Sequence, residues 1–111
     1  MLEINEEGII SFTKGEYAEI EVELEHLLDG TPYVMGGGDF LEFSVVKELC
    51  DKKYAIYKKI VDSNIVKILP SDTANMPCGS YLYDIRLTCS DGLPHTIIDP
   101  TLFELKCGVT K

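Results

Sequence analysis

Alternation of apolar and polar residues runs through most of this chain. In "YAEIEVELE" (17–25), Ala18, Ile20, Val22 and Leu24 fall on one face, and Tyr17, Glu19, Glu21, Glu23 and Glu25 on the other. Successive side chains of a strand point to opposite sides of the sheet, so this period predicts a half-buried strand. Glutamate is a weak strand former, and here the alternation has to outweigh propensity. "DFLEFSVVK" (39–47) sets Leu41, Phe43 and Val45 against Phe40, Glu42, Ser44 and Val46. "SYLYDIRLTC" (80–89) sets Tyr81, Tyr83, Ile85, Leu87 and Cys89 against Leu82, Asp84, Arg86 and Thr88. Further strands are expected at 8–13, 54–61, 64–69, 95–99 and 101–107. The stretch "SVVKELCDKKYAIYKK" is rich in Lys and Glu, but the Val45-Val46 pair and the alternating Tyr54 and Ile56 fit strands joined by a turn.

Turn formers separate these segments. "DGTPY" (29–33) and "SDG" (90–92) read as Gly-containing turns, and "MGGGD" (35–39) as a flexible strand connection. "VDSNI" (61–65) is expected to close a hairpin between 54–61 and 64–69. "PSDTANMP" (70–77) reads as a short turn or helical loop, capped by Ser71 or Asp72 and stopped by Pro77. About seven to eight short strands, with turns every ~8–12 residues, predict an all-β antiparallel sandwich. With 111 residues and no linker or repeat, a single domain over 1–111 is expected.

Charge narrows the partners. Ten basic residues against 19 acidic ones leave a net −9. Nucleic acid needs clustered Lys and Arg, and anionic membrane surfaces attract the same residues, so neither is an expected partner. "MLEINEEGII" lacks the basic start and apolar run of a signal peptide, and no segment approaches the ~20 apolar residues of a membrane span. The chain as written reads as cytoplasmic. For Cys50, Cys78, Cys89 and Cys107, three pairings are possible, and reduced thiols are the expectation in that compartment. No C-x-x-C spacing occurs, so zinc is not expected, nor is any other metal or cofactor.

Candidate chemistry is sparse. Glu19, Glu21, Glu23 and Glu25 form a ladder whose same-face carboxylates stand roughly 6.5–7 Å apart, two strand rises. One calcium ion cannot gather them at that spacing, so the ladder reads as a solvated face or a patch for a basic partner. "GGG" (36–38) is followed by a strand rather than a helix N-terminus, which argues against a phosphate cradle. His26 and His95 stand beside no evident nucleophile. Leu82, Asp84 and Arg86 share an outward face, a possible contact with another subunit. Pro77 and Gly79 turn the chain into that strand. Tyr81 is expected to bond its hydroxyl back to the preceding loop, as in the tyrosine corner of immunoglobulin-type sandwiches. No catalytic residue is assigned.

In order, "IEVELEHLLDGTPYVMGGGDFLEFSVVK", "IVKILPSDTANMPCGSYLYDIRLT" and "DGLPHTIIDPTLFEL" form a recurring pattern. It rests on Asp29, Gly30, Pro32, Tyr33, Gly38, Asp39, Leu41, Phe43, Val45, Asp72, Thr73, Pro77, Gly79, Tyr81, Tyr83, Asp84, Asp91, Gly92, Pro100 and Phe103. The pattern resembles small immunoglobulin-like phage and prophage structural proteins. It is similar to the N-terminal domain of the phage baseplate upper protein family. The resemblance implies an immunoglobulin-like β-sandwich and a non-enzymatic virion component of the tail or baseplate. Such a component would be made in the bacterial host cytoplasm and would oligomerise with itself and with other virion proteins. Larger baseplate proteins continue into further domains, so this chain is expected to be a free-standing adaptor or decoration subunit, or a fragment. Two alternatives come from the residues alone. One is a carbohydrate-binding or adhesin-like module using the tyrosines, Tyr33 and Tyr57 among them. The other is a small hydrolase with paired carboxylates.

Overall fold

The period-2 segments become strands in the computed structural model, which describes residues 2–22, 36–49, 52–61 and 63–108. In chain order they are β1 (Glu3–Ile4), β2 (Ile10–Thr13), β3 (Ala18–Glu21), β4 (Phe40–Val46), β5 (Ile56–Val61), β6 (Ile65–Ile68), β7 (Gly79–Thr88) and β8 (Pro94–Lys106). A single turn of helix, α1 (Pro70–Thr73), lies between β6 and β7. One sheet has six strands in the order β1-β2-β8-β7-β4-β5, and β3 with β6 forms a two-stranded second sheet. The result is the all-β, sandwich-like fold that the alternation predicts.

The core collects the apolar face of each strand. Phe12, Leu41, Phe43, Val45, Tyr83, Ile85 and Phe103 from the large sheet are buried with Ala18, Ile20, Val66 and Ile68 from the small one. Phe12, Phe43, Tyr83 and Phe103 meet as tilted or edge-on rings, with centroids 5.8–6.4 Å apart. Such geometry suits the ring quadrupole. Glu19 and Glu21 alternate outward along β3, so the burial of Ala18 and Ile20 on its other side offsets the low strand propensity of glutamate.

Several pairings differ from the local expectation. β2 runs parallel to β8, Ile10 opposite Phe103 through Thr13 opposite Lys106, whereas antiparallel pairing was expected throughout. The expected hairpin across "VDSNI" does not form. β5 pairs with β4 in the large sheet, and β6 pairs with β3 in the small one. The link therefore crosses between layers. Asn64 anchors it by donating its side-chain amide to the Val22 carbonyl and accepting the Val22 N–H.

The two strands expected on either side of Pro100 are one strand, β8. Asp84 of β7 faces both Asp99 and Pro100, and a second irregularity follows between Ile85 and Arg86. A bulge tolerates proline because the ladder is already interrupted there.

Local ties fix the connections. α1 is capped from within: the Asp72 carboxylate accepts the Leu69 N–H at 2.7 Å, so Asp72 acts from inside the first turn rather than as the preceding cap residue. Asp72 also pairs with Lys58 of β5 at 2.8 Å. The fully buried Thr73 hydroxyl accepts the Gly15 N–H. "GGGD" is an organised turn here rather than a loose connection. The buried Asp39 carboxylate accepts the N–H groups of Gly36 and Ser90. Gly38 has φ +89°, and a Cβ there would stand 3.0 Å from the Cβ of Ser90. The expectation of reduced thiols is corrected for one pair: Cys78 and Cys107 form a disulfide, with Cα atoms 5.7 Å apart. The antiparallel register sets Gly79 opposite Leu105 and so brings the two flanking cysteines together.

Candidate functional site

The polar sides of β4 and β7 build one surface. These strands are antiparallel neighbours, with Glu42 opposite Arg86, Ser44 opposite Asp84 and Val46 opposite Leu82. All six side chains face away from the core, because Leu41, Phe43, Val45, Tyr83, Ile85 and Leu87 occupy the alternate positions inside. Leu49 and Tyr54, from the connection after β4, and Pro100, from the bulge of β8, complete an open depression of about 280 Å³. A bulge bends its strand and re-aims a side chain, which is how Pro100 reaches this face.

The rim is apolar and exposed. Leu49, Tyr54 and Tyr57 are 62%, 54% and 43% accessible. The rings of Tyr54 and Tyr57 stack with centroids 5.2 Å apart. Tyr57 lies opposite Ser44 across the β4–β5 pair and donates its hydroxyl to Glu42 Oε2 at 2.6 Å. That bond, with smaller contributions from burial and from the charge of Glu42, pushes the Tyr57 pKa up to about 12.

The β4–β7 surface carries charge around Glu42, Asp84 and Arg86, and is apolar at the Val46–Leu82 pair. Glu42 and Asp84 are diagonal cross-strand neighbours, so their backbones stand about 7–8 Å apart. Burial holds the Asp84 carboxyl above its ordinary range; Arg86 opposes that rise and Glu42 adds to it. Two carboxyl groups therefore share one concavity with a single guanidinium. Such a surface suits hydrogen-bond donors and cations from a ligand.

The outward residues expected on β7, namely Leu82, Asp84 and Arg86, are together in this depression. Glu19 and Glu21 are not part of it; they lie on β3 in the small sheet, where Glu19 faces Lys67 and accepts the Tyr17 hydroxyl at 2.6 Å. Glu23 and Glu25, with Tyr33 and His26, lie outside the described residues. Sequence reasoning did not gather Glu42, Ser44, Leu49, Tyr54 and Pro100 onto the same face. Alternation marks Glu42 and Ser44 as outward, but nothing local says that β4 pairs with β7.

Pro77, Gly79 and Tyr81 form a separate, structural cluster. The Tyr81 hydroxyl donates to the Pro77 carbonyl at 2.5 Å, and burial raises its pKa. Lys47 donates to the Ser80 carbonyl and lies 4.7 Å from the centre of the Tyr81 ring. Tyr83 donates its hydroxyl to the Gly8 carbonyl, tying the turn before β2 to β7. Among the described residues, no group of three or more His, Cys, Asp and Glu side chains is arranged to hold a metal ion.

No model of a known protein family matches the chain, and no curated protein is significantly similar to it.

Proposed function

We propose that the protein is a non-enzymatic docking subunit that works by binding other proteins through the outer face of its six-stranded sheet. The observation that carries this reading is the exposed Leu49 and Tyr54 in a depression that also holds Arg86, with Tyr57 stacked on Tyr54 beside it. Tyrosine and arginine dominate the energetics of protein interfaces, where a few anchors supply most of the affinity. The setting we propose is a phage or prophage virion, in its tail or baseplate, with further copies of the chain and other virion proteins as partners. That setting rests on the order of sequence motifs, not on the fold. Mass spectrometry of induced, purified particles tests it, with light scattering on the isolated protein. The protein is expected in the particles, and Leu49→Glu is expected to exclude it while leaving the fold intact. Normal particles that lack the protein would refute the virion setting.

A second reading, a carbohydrate-binding module, is favoured by the stacked Tyr54–Tyr57 pair beside two carboxylates. Aromatic rings offer a platform for sugar faces, and carboxylates accept hydroxyl donors. Glycan-array binding that disappears in Tyr57→Ala would establish it. The same oligosaccharides serve as a check on the non-enzymatic assignment, because their hydrolysis would require the Glu42 and Asp84 pair to be reconsidered as catalytic.

A further inference from the structure

We infer that the depression seats a basic side chain, an arginine or lysine presented by a partner protein. Its head would lie against Glu42 and Asp84, and its stem against Leu49, Tyr54 and Pro100. This inference rests on the docking reading and specifies the partner's chemistry.

Three observations carry it. The depression holds two carboxylates, Glu42 and Asp84, and one guanidinium, Arg86; Lys59 stands outside the lining, opposite Glu42 on β5. An anionic group would be repelled by both acids. An apolar plug would strip water from three charges without replacing its hydrogen bonds, a cost that well-packed contacts rarely offset. A basic group instead exchanges water for charge-assisted hydrogen bonds.

The shape also fits. Long basic side chains have an apolar stem and a charged head, and the depression sets apolar groups (Val46, Leu49, Tyr54, Leu82) beside charged ones (Glu42, Asp84, Arg86). Tyr54 is half-exposed with Tyr57 stacked on one face of its ring, so a cation would meet the ring on its other face.

The third observation is the backbone. Both irregularities of the β7–β8 ladder fall between Tyr83 and Arg86, where β7 contributes its polar groups. A regular ladder would leave this face flatter and Pro100 off the rim. At longer range, the net −9 of the whole chain favours encounter with a basic partner.

Nuclear magnetic resonance on the full, isotope-labelled chain tests the inference. The probes are a capped Gly-Arg-Gly-Arg-Gly peptide, its citrulline counterpart of the same shape without charge, and a neutral cello-oligosaccharide. The arginine peptide is expected to shift the amide signals of 42–46 and 82–86 saturably. Its citrulline counterpart is expected to bind at least about tenfold more weakly, the scale of losing hydrogen bonds to charged groups. The Glu42→Gln/Asp84→Asn double variant should weaken the arginine peptide to the same degree, with spectral dispersion showing that the fold is retained. Glu19→Gln/Glu21→Gln removes the same charge from the small sheet and should leave binding unchanged. Equal binding of the two peptides, equal loss in the two double variants, or a response to the oligosaccharide alone would each overturn the inference. The particle assay separates this outcome from the docking reading. If Leu49→Glu is excluded from particles while the arginine peptide fails to bind, docking stands and the basic anchor falls. If Leu49→Glu is incorporated normally, docking through this face falls as well.

Discussion

At the scale of single residues, two tyrosines show how position divides a buried structural tie from a place on the exposed face. Tyr81 is 4% exposed, and its hydroxyl reaches back to Pro77. Removing that hydroxyl leaves the ring in place but the carbonyl without its donor. Tyr81→Phe is therefore expected to cost about 0.5–1.5 kcal/mol. A lower urea midpoint at unchanged slope would report it, and an unchanged midpoint would show that water replaces the bond at no cost. Tyr57 is half-exposed and bonded to Glu42. Its pKa, about 12, is above the ordinary 10.0, so the protonated form is the one favoured by folding. The sign follows: this contribution is complete below about pH 10 and fades as pH rises through about 12. Because the Glu42 bond is the largest cause, Glu42→Gln should move the Tyr57 titration down toward its ordinary value. Difference titration of tyrosinate absorbance for the two proteins measures this, and identical curves would break the link.

At the scale of elements, distant ties hold the short pieces in place. The disulfide joins the start of β7 to the residue after β8 across a separation of 29 residues. Closing a loop of that length restricts the unfolded chain enough to stabilise by about 3–4 kcal/mol. The Cys78→Ser/Cys107→Ser variant should lose most of that amount in thermal or urea unfolding, and reductant should shift the parent protein but not the variant. A parent protein indifferent to reductant would contradict a stabilising bridge. One turn of helix cannot stand alone, because helix nucleation is unfavourable. α1 is held instead by the Thr73 bond to Gly15, 58 residues away, and by the Lys58–Asp72 pair. Thr73→Val keeps the shape and strands the Gly15 N–H, so a loss of about 1–3 kcal/mol is expected by the same unfolding measurement. Amide exchange at Gly15 should quicken with it.

At the scale of the whole molecule, self-repulsion matters. A net −9 is distributed over a body of 45 × 27 × 24 Å. Charges across such a body interact when the screening length is about 30 Å at 0.01 M salt and scarcely do at about 8 Å, in 0.15 M. Compaction of a chain with this net charge is therefore opposed more strongly at low salt. The melting temperature is expected to rise by a few degrees between those two conditions, a shift on the scale of about 1 kcal/mol for a domain of this size. A fall on adding salt would mean that attractive pairs such as Lys58–Asp72 outweigh the net repulsion. The same field bears on function, since it favours basic partners and disfavours nucleic acid.

Alternation alone reads most of the strand content and the inward faces of β3, β4 and β7. Leu41, Phe43 and Val45, and again Tyr81, Tyr83, Ile85 and Leu87, are buried as their alternation indicates. That legibility has a simple cause: the two-residue period is a property of the extended backbone and needs no partner. Part of the candidate site was legible for the same reason, since Leu82, Asp84 and Arg86 are outward wherever β7 is placed. Which strands meet is settled by the packing of the whole chain. It set β5 beside β4 rather than β6, ran β2 parallel to β8, carried β8 through Pro100, and brought Cys78 to Cys107. It also brought Glu42, Tyr54 and Pro100 to the three residues of β7. Pairing and register depend on closing a whole core at once, and no local pattern encodes which of several apolar faces will cover which.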